Sequence, residues 1–255
     1  MKTFGIYSVM ANMCDMNLLT TYQYDRKERF GVNRDGGYVI CMLDGAYDCY
    51  ISAGISNEES FSRDFIRRHG MKAINCFGFD GTISAYPTQY TTEIAFIRKN
   101  INGFDDARNT TLRDLLTTHT DVFLKMDIEG WEYAWLTSID TNALRNIKQL
   151  VIEVHGIVDV PGVVVEQIKN VTFETKNACL AKLAETHYLT HAHYNTCTAK
   201  LGNVSYAIEL TYVNKKCIPA PKLNSTPFPI HGLDYPNDYT SVNVDMNTQP
   251  FVWKD

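Results

Sequence analysis

Apolar and polar positions fall along this chain in blocks that read as strand, then helix, then strand again. Tyr47–Ala53 is a short run of strand formers that stops at Gly54. Glu58–His69 follows, with Phe61, Phe65 and Ile66 on one face at helical spacing. Ala73–Phe79 predicts a second strand ending at Asp80, and Thr88–Asn100 a second helix. Thr110–Thr118, with Leu112, Leu115 and Leu116, predicts a further amphipathic turn or two. Val122–Met126 and Gln149–Val154 are nearly continuous apolar runs, ending at Asp127 and His155. Strands of that kind, separated by helices, predict a parallel sheet covered on both faces, hence an α/β fold.

Later segments differ. Tyr188–Tyr194 and Ser205–Val213 read as two strands joined by a turn near Gly202, an antiparallel hairpin added to the sheet. The segment Arg29–Val39 holds Asp35-Gly36-Gly37 between apolar flanks, a hairpin signal. From Pro219 onward, proline, asparagine and aspartate dominate. The expected organisation is one domain over residues 1–218, with 1–45 as an N-terminal extension and hairpin. Residues 219–255 form an irregular tail packed on that domain.

Composition narrows the class. A chain of 255 residues with 45% hydrophobic and 21% charged residues has material for a core. A net charge of -5 argues against a nucleic-acid partner, because phosphate backbones call for a basic surface. Seven widely spaced cysteines without a Cys-x-x-Cys pair fit neither a disulfide framework nor a zinc knuckle. The N-terminal residues from Met1 to Gly5 lead into no signal-peptide core, and no apolar run is long enough to span a membrane. A cytoplasmic location is expected, and Asn-x-Ser/Thr matches such as Asn109 and Asn203 then count as chance.

In a parallel sheet, ligands bind outside the carboxyl ends of the strands. Small and ionisable residues recur at those ends: Gly54-Ile55-Ser56, Asp80, Asp127-Ile128-Glu129, and Glu153-Val154-His155. Gly54 lets the backbone turn sharply against a ligand. The dinucleotide fingerprint is absent, since Ser56 and Glu59 stand where glycines belong, and Glu58 and Glu59 would repel a pyrophosphate. An ordinary strand–helix turn with an acidic first turn explains the same residues, whereas a cofactor carrying an ammonium group suits the carboxylates. Asp80 has the placement of a ribose-binding carboxylate, although a turn aspartate before Gly81 is also common. Asp127, Glu129 and Glu132 could bind an amino group, hold a divalent cation or take a proton, or serve only a helix start. Glu153 and His155 share one face of a strand, as do His191 and His193, which Asn195 follows. A histidine near neutral pKa is the natural base for a hydroxyl, although most strand histidines are structural.

These residues resemble a known family. Phe123-Leu124-Lys125-Met126-Asp127-Ile128-Glu129-Gly130-Trp131-Glu132 resembles the "lKiDvEGaE" signature of FkbM-type methyltransferases. Arg29…Asp35-Gly36-Gly37-Tyr38-Val39 is similar to their "DGGYV" lead-in, Tyr50–Ser56 to their first cofactor loop, and Phe77-Gly78-Phe79-Asp80 to "haFDp". The His191-Ala192-His193-Tyr194-Asn195 segment with Ala207–Val213 resembles their closing hairpin, and Gly232–Asn237 resembles an "LDxPN" segment near some relatives' ends. The resemblance spans about Arg29 to Val213, and Ala53-Gly54-Ile55-Ser56 departs from it in lacking a full glycine-rich loop.

The resemblance implies a Rossmann-like class I methyltransferase that uses S-adenosylmethionine to methylate a hydroxyl of a sugar or other small-molecule or glycan acceptor. It implies that Gly54, Ser56 and Glu58 flank the methionine part, Asp80 the ribose and Asp127 the reaction centre, with Gly36 and Gly37 closing over the cofactor. His155 or His193 is then the expected base, and, as an alternative feature, a divalent cation such as Mg²⁺ or Mn²⁺ would be held by Asp127, Glu153 and His155. Three rival readings differ in class. A metal-dependent glycosyltransferase would use Asp127-x-Glu129, a nicotinamide oxidoreductase lacks its glycines here, and a non-catalytic member would have lost the chemistry.

Overall fold

Apolar strands that are buried along their whole length need cover on both faces, and the chain supplies it with helices between the strands. The structure, a computed structural model, describes residues 12–90 and 93–254. The expectation about a leader at Met1–Gly5 therefore lies outside the described residues. In chain order the elements are β1 (Lys27–Phe30), β2 (Tyr38–Cys41), β3 (Cys49–Ala53), α1 (Ser60–His69), β4 (Cys76–Phe79) and β5 (Ala95–Ile97). The two-residue strands β6 (Asn100–Ile101) and β7 (Asn109–Thr110) precede α2 (Arg113–Thr118), β8 (Val122–Met126), α3 (Glu132–Ser138), α4 (Thr141–Leu144) and β9 (Ile147–His155). Then come α5 (Phe173–Thr186), β10 (His187–Tyr194), the short pair β11 (Lys200–Leu201) and β12 (Val204–Ser205), and β13 (Ala207–Asn214).

The fold is mixed α/β around a mostly parallel central sheet. Its seven strands run in the order β10-β13-β9-β8-β3-β4-β5. Strands β9, β8, β3, β4 and β5 are mutually parallel. β13 runs antiparallel to both its neighbours, β9 and β10. From β3 the chain builds outward through β4 to β5, then returns to place β8 and β9 on the other side. The order therefore reverses between β3 and β8, and the crevice above their carboxyl ends is where such sheets bind ligands.

Packing fixes where α1 points. Phe61 and Phe65 of α1 are buried against Tyr50 of β3 and Phe123 of β8, with ring centroids of Phe65 and Phe123 4.1 Å apart. This anchors the helix so that its first turn follows directly from the loop after β3. The β1–β2 turn is tied to the same helix start. Ser60 Oγ accepts the Val32 amide at 2.9 Å, and Asp64 accepts the Gly31 amide at 3.2 Å.

One expectation needs correction. No helix covers Thr88–Asn100 among the described residues, and Thr91 and Thr92 lie outside them. Ala95, Phe96 and Ile97 instead pair in parallel with Phe77, Gly78 and Phe79. The open edge of β4 offered hydrogen bonds, and Phe96 and Ile97 suit a strand, so tertiary pairing overrode the helical spacing. His191 and His193 lie in the last four residues of β10, an edge strand that is bulged between Leu189 and His191. No helix or strand is formed from residue 219 to 254, yet that segment is bonded to the domain through Asp234, Asn237 and Asn243.

Among the described residues, no helix is long and apolar enough to cross a membrane.

Candidate active site

The loops after β3 and β8 touch backbone to backbone. Gly54 has φ +81°, and a Cβ on it would lie 1.6 Å from the Asp127 carbonyl oxygen, so only glycine fits. The Asp127 amide donates to the Ala53 carbonyl at 2.9 Å, and buried Lys125 donates its Nζ to the Gly54 carbonyl at 2.6 Å. Past Gly54, Ser56 also takes a left-handed conformation, with φ +49°.

Asp80, at the end of β4, holds this loop in shape. Its Oδ2 accepts the amides of Ile55 and Ser56 at 3.0 and 2.9 Å. Its Oδ1 accepts the amide and hydroxyl of Thr82 at 2.7 and 2.5 Å. Burial pushes this carboxyl's pKa up, but the hydrogen bonds from Ser56, Thr82 and Ile55 outweigh it and the net shift is downward. Those four bonds use the full acceptor capacity of a carboxylate.

At the far end of this loop, Glu58 accepts the Ser60 amide at 2.8 Å and the Tyr90 hydroxyl at 2.9 Å. Gly36 packs on it so closely that a Cβ there would lie 2.2 Å from the Glu58 Cγ. Glu59 is buried, accepts from Ser52 and Tyr86 at 2.9 and 3.2 Å, and is pushed up in pKa by that burial. A cleft of about 350 Å³ results, lined by Asp35, Gly36, Tyr38, the Gly54–Glu58 loop, Asp80, Lys125 and the Asp127–Glu129 turn. Gly37 is not in its wall. That glycine sits behind, where a Cβ would meet the Val32 carbonyl at 1.9 Å and the Arg29 guanidinium at 2.7 Å.

At the inner end of the cleft lies a cluster of ionisable groups. Tyr38 donates to Asp127 Oδ2 at 3.2 Å, while Asp127 Oδ1 is buried with no hydrogen-bond partner. His155 Nδ1 lies 3.2 Å from Glu132, and its Nε2 lies 3.4 Å from Glu129 and 3.5 Å from Glu153. Burial pushes the His155 pKa down. Glu132 above all, then Glu153 and Asp127, outweigh that and hold it well above the ordinary value. Glu153 is raised well above a normal carboxyl, first by burial and then by the charge of Asp127. Asp127, Glu153 and His155 bring donor atoms within 4.8 Å of one another, and so do Asp35, Glu153 and Glu209. A tyrosine fixes the end of β9 here, since the Tyr133 hydroxyl donates to the His155 carbonyl at 2.9 Å.

His193 joins this cluster only through Glu209. Its Nδ1 lies 3.0 Å from Glu209, and its Nε2 lies 3.0 Å from Asn243 Oδ1. Burial lowers its pKa, Glu209 more than compensates, and the ring is raised to about 9. Neither His155 nor His193 lines the cleft, and both are engaged by carboxylates. His191 belongs to a different contact, 2.8 Å from Asp234 of the tail.

Several site residues were given no role of their own in the sequence. Glu209 had the clearest available signal, an acid inside the buried run of β13. Asn195, whose Nδ2 donates to Glu153 at 2.8 Å, and Asn237, which donates to Glu209 at 2.7 Å, had only their places in segments that resemble the family. A larger cavity of about 830 Å³ runs along Val160–Phe173, but none of the expected site residues lines it.

The sequence matches the family model described as Methyltransferase FkbM domain over residues 16–174. No curated protein matches. Among solved structures, one that is similar is a mutant of the 16S rRNA (adenine(1408)-N(1))-methyltransferase from Catenulisporales acidiphilia, with its cosubstrate SAM. It is 11% identical, has a TM-score of 0.35, and the match covers 73% of this chain and 97% of that one. The exclusion of a nucleic-acid partner is corrected here, because the methyltransferase matched is one for rRNA. Net charge is a sum over the whole chain, and the local distribution of charge decides phosphate binding.

Proposed function

The chain belongs to the methyltransferase FkbM domain family, and from that premise we propose that it methylates a hydroxyl group, on a sugar or glycan. Membership makes it a methyltransferase whose methyl donor is S-adenosylmethionine. The observation that supports the placement of the donor is the buried, unpartnered Oδ1 of Asp127 at the inner end of the cleft. A buried acceptor without a partner calls for a donor, which an ammonium or a hydroxyl supplies. The cleft, lined by the carboxylates of Glu58 and Asp127, suits a cationic ligand that also carries hydroxyls. When bound, S-adenosylmethionine supplies a methyl group on a positively charged sulfur.

The chain's residues then have these roles. Gly54 and Ser56 offer backbone to the ligand, and Gly36 closes the wall across from them. Asp80 keeps the loop in the required shape, a positioning role that replaces the direct ribose contact. Asp127 orients the acceptor hydroxyl and takes its proton. The expectation that His155 or His193 removes that proton is given up, because each ring lies 3.0–3.5 Å from carboxylates that favour its protonated form. The carboxylates Asp35, Asp127 and Glu129 at the cleft are hydrogen-bond acceptors only, which suits a polyhydroxyl acceptor.

Asp127, Glu153 and His155 also bring oxygen and nitrogen donors together, and a divalent cation such as Mn²⁺ that displaced the proton favoured on His155 would lower the pKa of a bound hydroxyl. Turnover that survives chelation and does not respond to added Mn²⁺ would remove the cation from the proposal.

The deciding experiment is calorimetric titration with S-adenosylmethionine and S-adenosylhomocysteine, with NAD and UDP-sugars plus Mn²⁺ as controls, followed by methyl transfer to a sugar panel. Micromolar binding of the first two alone, with label appearing on a sugar hydroxyl, is the expected result. Label on a ring nitrogen, or none on any sugar, would refute the hydroxyl acceptor.

A further inference from the structure

The cleft wall opposite Gly54 is held from outside the stretch that the family model covers. Asp35 and Gly36 form part of that wall, on the turn between β1 and β2. Asp35 is brought close to Glu153 and Glu209, with carboxylate oxygens within 4.8 Å. Like charges at that distance repel, and the turn would open unless donors stood between them.

Asn237 supplies those donors. Its Nδ2 gives one hydrogen to Glu209 at 2.7 Å and the other to Asp35 at 3.2 Å. Its backbone carbonyl accepts the Asp35 amide at 3.0 Å. Its own amide donates to Thr196 Oγ1 at 2.8 Å, and its Oδ1 accepts the Thr196 amide at 2.9 Å. Asn237 and Glu209 are buried, so the bond between them is shielded from water, while Asp35 is exposed. Four residues earlier, the Leu233 carbonyl accepts from Arg29 at 3.2 Å, and the same guanidinium donates to the Val32 and Arg34 carbonyls within the turn. Gly36 in turn rests directly on Glu58.

We infer that Asn237 is a positioning residue for cofactor binding, a tail residue that sets the distance between the Asp35–Gly36 turn and the Gly54–Glu58 loop. The inference rests on the methyltransferase reading of the cleft.

The test uses the full chain and three variants. Asn237→Asp keeps the shape and the Thr196 contact but replaces both donors with a third carboxylate. Asn237→Ala removes the donors without adding charge. Asn224→Ala is the control for a loosened tail, since buried Asn224 donates to the Thr226 and Phe251 carbonyls and touches no cleft residue. Affinity for S-adenosylhomocysteine is measured by calorimetry and Tm by scanning calorimetry. Asn237→Asp should weaken affinity at least about tenfold, and Asn237→Ala several-fold, because hydrogen bonds to charged groups are the strong ones. Asn224→Ala should lower Tm by a similar amount and leave affinity within about twofold. If Asn237→Asp does not fold, Asn237→Ala carries the test. Wild-type affinity in the Asn237 variants, or an equal loss in Asn224→Ala, overturns the positioning role alone. A wild-type chain that binds no S-adenosylhomocysteine overturns the cofactor reading itself, and the inference with it.

Discussion

Asp80→Asn tests whether one carboxylate shapes the cofactor loop. The two side chains have the same size, so the change is confined to charge and hydrogen bonding. In the wild type all four donors around Asp80 point at carboxylate oxygens. An asparagine can keep its oxygen towards the Ile55 and Ser56 amides. Its NH₂ group then faces Thr82, whose hydroxyl can rotate to accept but whose amide cannot. The Thr82 amide loses its carboxylate, but Thr82 is exposed and water can take the bond, so the cost there is at most about 1 kcal/mol, and the bonds that remain lose their charge assistance. The expected loss is about 2 kcal/mol, read as a shift in the urea midpoint at pH 7 with an unchanged slope. The pH dependence gives an internal check. The folded carboxyl is depressed below its ordinary value, so its contribution is complete above about pH 4 and is lost as the pH falls through the folded pKa. Wild type and variant should therefore converge in acid. A midpoint difference under about 1 kcal/mol at pH 7, or one that persists unchanged at low pH, would refute the reasoning.

Other variants probe the remaining parts. Asp127→Ala should lower turnover at least about 100-fold while the fold survives, measured with radiolabelled methyl donor and circular dichroism. Gly54→Ala forces a Cβ into the Asp127 carbonyl; a cost on the order of 4 kcal/mol should appear as a Tm about 10 °C lower. His193 is raised to about 9 by Glu209, so its stabilisation is complete below about pH 6.5 and fades as the pH rises through 9. His193→Gln should flatten the fall in unfolding free energy between pH 6.5 and 9.5, and an unchanged slope would count against the pairing.

How much of this was legible in the sequence depended on distance along the chain. Val122–Met126 is a strand with the bounds its apolar run predicted, because a buried parallel strand carries its signal in each residue. The strand ends at Gly54, Asp80 and Asp127 were legible for the same reason, since a small or charged residue stops an apolar run. Ala95–Ile97 was not, because its strand exists only through pairing with β4, and a helical spacing read locally has no knowledge of that edge. The role of Asp80 was half legible. Its position was clear, but the Thr82 and Ile55–Ser56 donors that occupy it depend on how two loops meet. Asn237 and Glu209 lie 28 positions apart and Asn237 and Asp35 lie 202 apart, so no local pattern could join them.

The antiparallel strand has a consequence for synthesis. β13 lies between β9 and β10, and its residues are made after both. As the chain emerges, β3, β4, β5, β8 and β9 can assemble, but β9 then ends the sheet, with the edge that the seven residues from Gln149 to His155 offer to β13 left open. An uncovered apolar edge of that length is a template for pairing with other chains. The nascent protein is at its most vulnerable during the interval between residues 155 and 207, and a fragment ending where the family match ends, at residue 174, would keep that edge open permanently.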